Sequence, residues 1–262
     1  MADDFFPEWL YSRQIDDDQF GAAYNNVSDF HRSCLKTNIA RHQALYGFPD
    51  VTSVLEKKVL AQGGSVEIQV RPLDWCVFVL AKGYASAPRF LAVLMPALFS
   101  GVQAVAVVQC GSESVEGTIL TACELAGVET VVALSEQQLI TLVQDCSVKG
   151  HGAVLTLGTG VLSGLNTTSA SQRTLKCWSE PVYHTVFADK DADLNLLSWA
   201  HPDMELICSA ASVKGRLLAT CAASADTFPD VPVRLGAGQE ALFCWPGLQK
   251  DFFLARSVAF LA

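Results

Sequence analysis

Residues 66–108 read VEIQVRPLDWCVFVLAKGYASAPRFLAVLMPALFSGVQAVAVV. An alternating opening leads into an apolar run, a turn containing Gly83, an apolar stretch of helix length and a second β-branched run. Strand, turn, helix and strand in that order form the entry unit of a nucleotide-binding α/β sheet. Runs that are apolar at every position need cover on both faces, which a parallel sheet wrapped by helices provides.

Outward from this unit the same alternation continues. Short β-branched runs at 77–80, 104–108, 130–134, 153–157, 185–188, 206–209 and 217–221 read as strands, and 90–100, 115–126 and 136–145 read as helices. Strands separated by helix-length segments make βαβ units, so the predicted fold class is α/β, a doubly wound, largely parallel Rossmann-like sheet. Upstream, Phe20, Tyr24, Val27, Phe30, Ile39, Leu45, Val54, Leu55 and Val59 recur at helical spacing, broken at Gly47-Phe48-Pro49. The expected organisation is an N-terminal helical segment (1–64), a Rossmann-like unit (65–165) and a second α/β portion packed on it (166–262). Within the last, the serine-rich stretch 167–176 reads as a loop, and 252–261 reads as an apolar helix.

Half of the 262 residues are hydrophobic, enough for one large core or two smaller ones. The net charge of −9 offers no basic stripe for phosphates and excludes a general nucleic-acid binder. Nine cysteines without a C-x-x-C pair suit a reducing compartment, with most of them buried as small hydrophobes. The N-terminus is acidic and aromatic, unlike a signal peptide, and no apolar run is long enough to span a bilayer. These features lead us to expect a cytoplasmic protein with neither nucleic acid nor membrane as partner.

Several segments carry a family likeness. AAYNNVSDFHRSC at 22–34, Arg71-Pro72-Leu73, the turn Lys82-Gly83-Tyr84-Ala85, Pro88, the run from Pro96 to Val102, Leu125-Ala126-Gly127-Val128 and Leu196-Leu197-Ser198-Trp199-Ala200-His201 stand in order along the chain. Together they resemble the histidinol dehydrogenase family, a branch of the aldehyde-dehydrogenase-like group, although this chain is shorter at both ends. The resemblance implies a dehydrogenase fold with NAD as cofactor and full-length relatives that pair as homodimers.

It also implies a zinc site, where this chain departs. The family's L-L-S-Q-A-E-H segment supplies a Gln and a final His to the metal, and here Trp199 and Pro202 stand in those places. Neither can donate a lone pair to zinc, and His201 is displaced by one position. No counterpart of the family's catalytic Glu-His pair is recognisable, so no catalytic residue is assigned and no zinc is expected.

The cofactor candidates are the residues of two glycine turns at strand ends: Lys82, Gly83 and Tyr84, and Gly158, Thr159 and Gly160. Ser179 and Glu180 resemble the S-E of a substrate-side turn in the family. Cys177 and Cys208 lack a motif that would activate a thiol and read as buried structural residues. Three functions follow: a divergent relative that binds a nucleotide or small anion without the zinc-dependent oxidation; an active NAD(P)-dependent oxidoreductase on an alcohol or aldehyde; and an interaction subunit using Phe5, Phe6, Trp9 and Tyr11 with the apolar C-terminal segment. The first two need an open cleft near Gly83 and Gly158.

Overall fold

The computed structural model describes residues 5–48, 54–159, 175–209, 216–221 and 231–261. A parallel five-stranded sheet is assembled from β3 (Trp75–Leu80), β4 (Ala104–Cys110), β5 (Val131–Leu134), β6 (Gly152–Leu157) and β7 (Leu175–Ser179), in the order β5-β4-β3-β6-β7. The chain winds outward from β3 to β5 and then returns to the other side of β3, which places a topological switch point between β3 and β6. Period-two alternation sorts β3 cleanly: Cys76, Phe78 and Leu80 enter one core, and Trp75, Val77 and Val79 enter the other.

Three helices connect these strands. α4 (Ala87–Phe99) and α5 (Gly117–Ala126) cover the first face, and α6 (Glu136–Ser147) covers the second. α4 is apolar around nearly its whole circumference because it is enclosed by the sheet and by α3 (Asp29–Tyr46), α5 and α7 (Leu194–Ala200). The short α1 (Glu8–Tyr11) and α2 (Asp17–Asn26) precede α3. A second, four-stranded parallel sheet has the order β11-β10-β8-β9, from β8 (Thr185–Ala188), β9 (Glu205–Ile207), β10 (Leu217–Cys221) and β11 (Val233–Arg234). The predicted α/β class is therefore the one observed.

Two expectations fail in the same place. Residues 54–59 do not continue the N-terminal helices; β1 (Val54–Val59) pairs antiparallel with β2 (Ser65–Pro72) across the Gly63-Gly64 turn. Residues 254–261 are not helical either, and β12 (Leu254–Leu261) pairs with the other edge of β2. Valines and other apolar residues spaced two and four apart satisfy both periods, and β2, with Val66, Ile68 and Val70 on one face, selects the strand. Sheet membership also crosses the boundary expected at 165, since β7 completes the first sheet.

Of the N-terminal aromatics Phe5, Phe6, Trp9 and Tyr11, three turn inward and Tyr11 is exposed. Phe6 and Leu10 are buried, and Phe5 and Trp9 pack against the core between the sheet and α6. Much of the expected loop at 167–176 lies outside the described residues. No helix among the described residues is long and apolar enough to cross a membrane.

Candidate functional site

Both glycine turns stand at the carboxyl ends of β3 and β6, on either side of the switch point. After β3, the Tyr84 amide donates to the Ala81 carbonyl at 3.0 Å, and Gly83 takes φ +74°, where a Cβ would be strained. Buried Gln109 at the end of β4 fixes this turn by donating from Nε2 to the carbonyls of Leu80 (3.2 Å) and Ala81 (2.9 Å). After β6, Gly158 takes φ +84°, and a Cβ there would fall 2.7 Å from the Ala81 Cβ. Gly160 lies outside the described residues, and Thr159 is exposed.

The amide of Gly158 already has an anion. Glu180, just beyond β7, accepts from it through Oε2 at 2.7 Å and from the Tyr84 hydroxyl through Oε1 at 3.3 Å. Arg89 reaches the same Oε1 at 3.3 Å and pairs through its other terminal nitrogen with Asp203. Tyr84, Glu180 and Arg89 are all buried, their backbones set by three elements: the β3 turn, the end of β7 and the first turn of α4. Ser86 caps α4 and donates to the Ala200 carbonyl at 2.6 Å, tying α4 to the end of α7, where His201 and Asp203 follow.

Burial sets the electrostatics. It raises the Glu180 carboxyl above the usual range, although Arg89 and the Gly158 amide pull the other way. Burial alone would lower Arg89, but Tyr84, Glu180 and Asp203 outweigh it and hold the guanidinium charged. Tyr84 is pushed well above 10, first by burial and then by Glu180, so its hydroxyl stays a donor. His201 is fully enclosed, edge-on to Phe243 at 5.6 Å, and burial lowers it to about 3. Two carboxylates face one guanidinium here, so the cluster carries an excess negative charge that opposes a phosphate.

A second concavity opens beside it, over the carboxyl ends of β4 and β5. Its volume is about 640 Å³, and it is bordered by Arg13, Lys82, Ser112, Glu113, Ser114 and the start of α6. Arg13 is brought there because the segment before α2 bridges to β5, with Gln14 opposite Val132 and the Ile15 amide donating to the Val131 carbonyl at 2.9 Å. Lys82 arrives on the β3 turn. Ser135 closes the N-terminus of α6 in a capping box with Gln138. Two cations and the hydroxyls of Ser112 and Ser114 outweigh the one lining acid, Glu113, and favour an anionic ligand, while Glu136 in the first turn and the Ser135–Gln138 capping box already answer the positive end of α6.

The six cofactor candidates thus separate. Lys82 borders the larger concavity; Tyr84 and Gly158 close on Glu180 at the switch point. Glu180 is a partner of that closure, and Ser179 accepts a 2.9 Å hydrogen bond from Thr156. Cys177 and Cys208 are exposed, contrary to expectation, because β7 is an edge strand and Cys208 follows the end of β9. Partial burial pushes the Cys177 thiol up, away from nucleophilic activation. Trp199 stacks on His31 at 4.2 Å, and among the described residues no three His, Cys, Asp or Glu side chains converge to hold a metal ion. The residues present at the resemblance's zinc positions do not fit that ion.

Arg89 and Arg13 were missed. The signal for Arg89 was legible, a lone charge inside APRFLAVLMPALF that can be buried only if paired. Arg13 carried no local signal, since its place depends on a bridge across the chain.

A doubly wound parallel sheet joined to a second parallel sheet and an antiparallel ribbon defines a dehydrogenase-like α/β fold. The structure of histidinol dehydrogenase from Elizabethkingia anophelis shares it, with a TM-score of 0.57 at 12% identity over 95% of this chain and 77% of that one. An aldehyde dehydrogenase of Mycobacterium tuberculosis complexed with NAD+ aligns at 16% identity over 86% of this chain and 47% of its own, with a TM-score of 0.34. Lactaldehyde dehydrogenase from Escherichia coli aligns at 15% identity over 68% of this chain and 41% of its own, with a TM-score of 0.36. The chain therefore spans less than half of these last two enzymes, whose likeness is too loose to bear on the site. No protein-family model and no curated protein matches the sequence.

Proposed function

We propose that this chain is a divergent dehydrogenase-like protein that binds a nucleotide such as NAD, or a smaller anion, without the zinc-dependent oxidation of histidinol dehydrogenase. The observation that carries the reading is the concavity bordered by Arg13 and Lys82 at the carboxyl ends of the central strands. Ligands of doubly wound sheets bind at that edge, and phosphates are drawn to helix N-termini and fixed cations there. Glu180 on the Gly158 amide favours this concavity over the Gly158 turn, because the backbone donor that would meet a pyrophosphate there is already satisfied.

In this scheme Lys82 and Arg13 neutralise the ligand's phosphates, Ser112 and Ser114 offer hydroxyls, and Gln109 holds the Lys82 turn in place. NAD, when bound, would supply hydride chemistry; no group of this chain is assigned a proton-transfer role. Calorimetric titration with ADP and with NAD tests the reading. Saturable binding that weakens by about tenfold or more in Lys82→Ala or Arg13→Ala supports it, since each charged contact to phosphate is worth about 1.5–3 kcal/mol. Turnover of any alcohol or aldehyde with NAD(P) would favour the active oxidoreductase instead.

A second reading, self-association as a homodimer, is favoured by the ribbon. Val54, Val66, Ile68, Val70, Val258 and Phe260 share one face of β1-β2-β12 with Glu56, Lys58 and Arg256, and Phe260 is 77% exposed. A three-stranded antiparallel sheet gains stability when such a face is covered.

A further inference from the structure

Residues 5–16 run around the edge of the five-stranded sheet. Before the crossing, Phe6 at 3% exposure and Leu10 at 0% enter the core between the sheet and α6, with Phe5 and Trp9 packed beside them. After it, Ile15 packs on the core of the opposite face, and Phe20 and Ala23 of α2 are buried there, against α5. Between these two anchors the chain passes β5, the edge strand, so residues 11–16 form a strap from one face to the other.

The ties between strap and strand are few among the described residues. Gln14 stands opposite Val132 in an isolated bridge, the Ile15 amide donates to the Val131 carbonyl at 2.9 Å, and the Gln14 Nε2 donates to the Thr130 hydroxyl at 3.1 Å. α1 is one turn of four residues, too short to persist alone in water, so its order derives from the burial of Phe6 and Leu10. A segment held this way opens at a lower free energy than the sheet behind it. Arg13 sits exposed in the middle of the strap and borders the ligand concavity. Lys82 reaches the same concavity from the β3 turn, which buried Gln109 fastens to the sheet. One cation of the site is therefore mounted on a segment that can leave, and the other on one held in place.

We infer that strap and concavity are a linked device: an anionic ligand that pairs with both Arg13 and Lys82 holds the strap on β5, and undocking of the strap withdraws Arg13 and weakens the site. The inference rests on the anionic ligand proposed above and adds what controls its affinity. Linkage makes the effect reciprocal, so saturating ligand favours docking by the factor that docking adds to affinity, about tenfold or more if loss of Arg13 is the whole difference.

The test follows amide hydrogen exchange in the full chain by NMR, with ADP as the probe. The Ile15 amide reports the strap, and the amides of Val77 and Val79 in β3 report the sheet. In the free protein Ile15 should exchange faster than Val77 and Val79, and saturating ADP should slow Ile15 by about tenfold or more. In Arg13→Ala, with ADP raised to saturate the variant through Lys82, Ile15 exchange should be the same with and without ADP. Leu10→Asp, remote from the concavity, should speed Ile15 exchange, weaken ADP by about tenfold, and add nothing to the loss in Arg13→Ala. If Leu10→Asp does not fold, the wild-type and Arg13→Ala exchange rates decide the matter. ADP that binds the wild type without slowing Ile15, Ile15 exchange as slow as that of β3 in the free protein, or protection that persists in Arg13→Ala would overturn the device and leave the proposed function standing. ADP that fails to bind the wild type would overturn both.

Discussion

Arg89 is the only charged residue of a helix otherwise made of apolar side chains and two prolines, and its neighbours explain how that is tolerated. Glu180 and Asp203 satisfy it from two different elements, so removing it strands a buried carboxylate. Arg89→Met should lower the unfolding free energy by about 3–5 kcal/mol. Adding Glu180→Gln should restore part of that loss, because the amide can still accept from Gly158 without carrying charge; urea denaturation of the single and double variants measures both. Two buried histidines set the acid limit. Burial holds His201 at about 3 and His42 at about 4, against 6.5 in an unfolded chain. Both are neutral when folded, so their contribution is present above pH 6.5 and is lost as pH falls toward those lowered values. At about pH 5 each should cost about 2 kcal/mol relative to neutral pH, and His201→Gln should flatten the slope in a urea-midpoint series. Glu180 acts in the opposite sense, its raised carboxyl contributing less as pH rises above the ordinary range of 4.5.

The strands and helices of the first sheet were legible because each satisfied one period only. Residues 75–80 are apolar throughout and buried at every position, which a central parallel strand demands. β1 and β12 were misread because 54–59 and 252–261 suit two periods; β1 closes a local hairpin with β2, whereas β12 pairs with β2 across 182 to 196 residues, which no local window senses. The site was legible as two turns but not as an arrangement. Lys82-Gly83-Tyr84 could be located from the glycine, yet that Lys82 turns to one concavity and Tyr84 to another follows from Glu180 and Gln109. One close approach between strands offers a direct check. Gly152 opens β6 against Trp75 of β3, and a Cβ at that position would lie 2.0 Å from the Trp75 ring. Gly152→Ala should therefore destabilise by about 1–3 kcal/mol or more, with a loss of near-ultraviolet signal from the displaced indole.

At the scale of the whole molecule, two parallel sheets share one large core through α4, while the ribbon β1-β2-β12 carries a face of Val66, Ile68, Val70, Val258 and Phe260 interspersed with Glu56, Lys58 and Arg256. If that face joins two copies, Val258→Lys/Phe260→Lys should shift sedimentation toward the monomer and leave ligand affinity at the Arg13/Lys82 concavity unchanged. The central claim is that an anionic nucleotide sits over β4 and β5 and not on the Gly158 turn, which Glu180 has closed. The most direct measurement is a calorimetric titration of ADP into the wild type, Arg13→Ala/Lys82→Ala and Glu180→Gln. The account predicts saturable binding in the wild type, its loss in the double variant and its retention in Glu180→Gln. Absence of binding to the wild type, or binding that survives in the double variant, would contradict it.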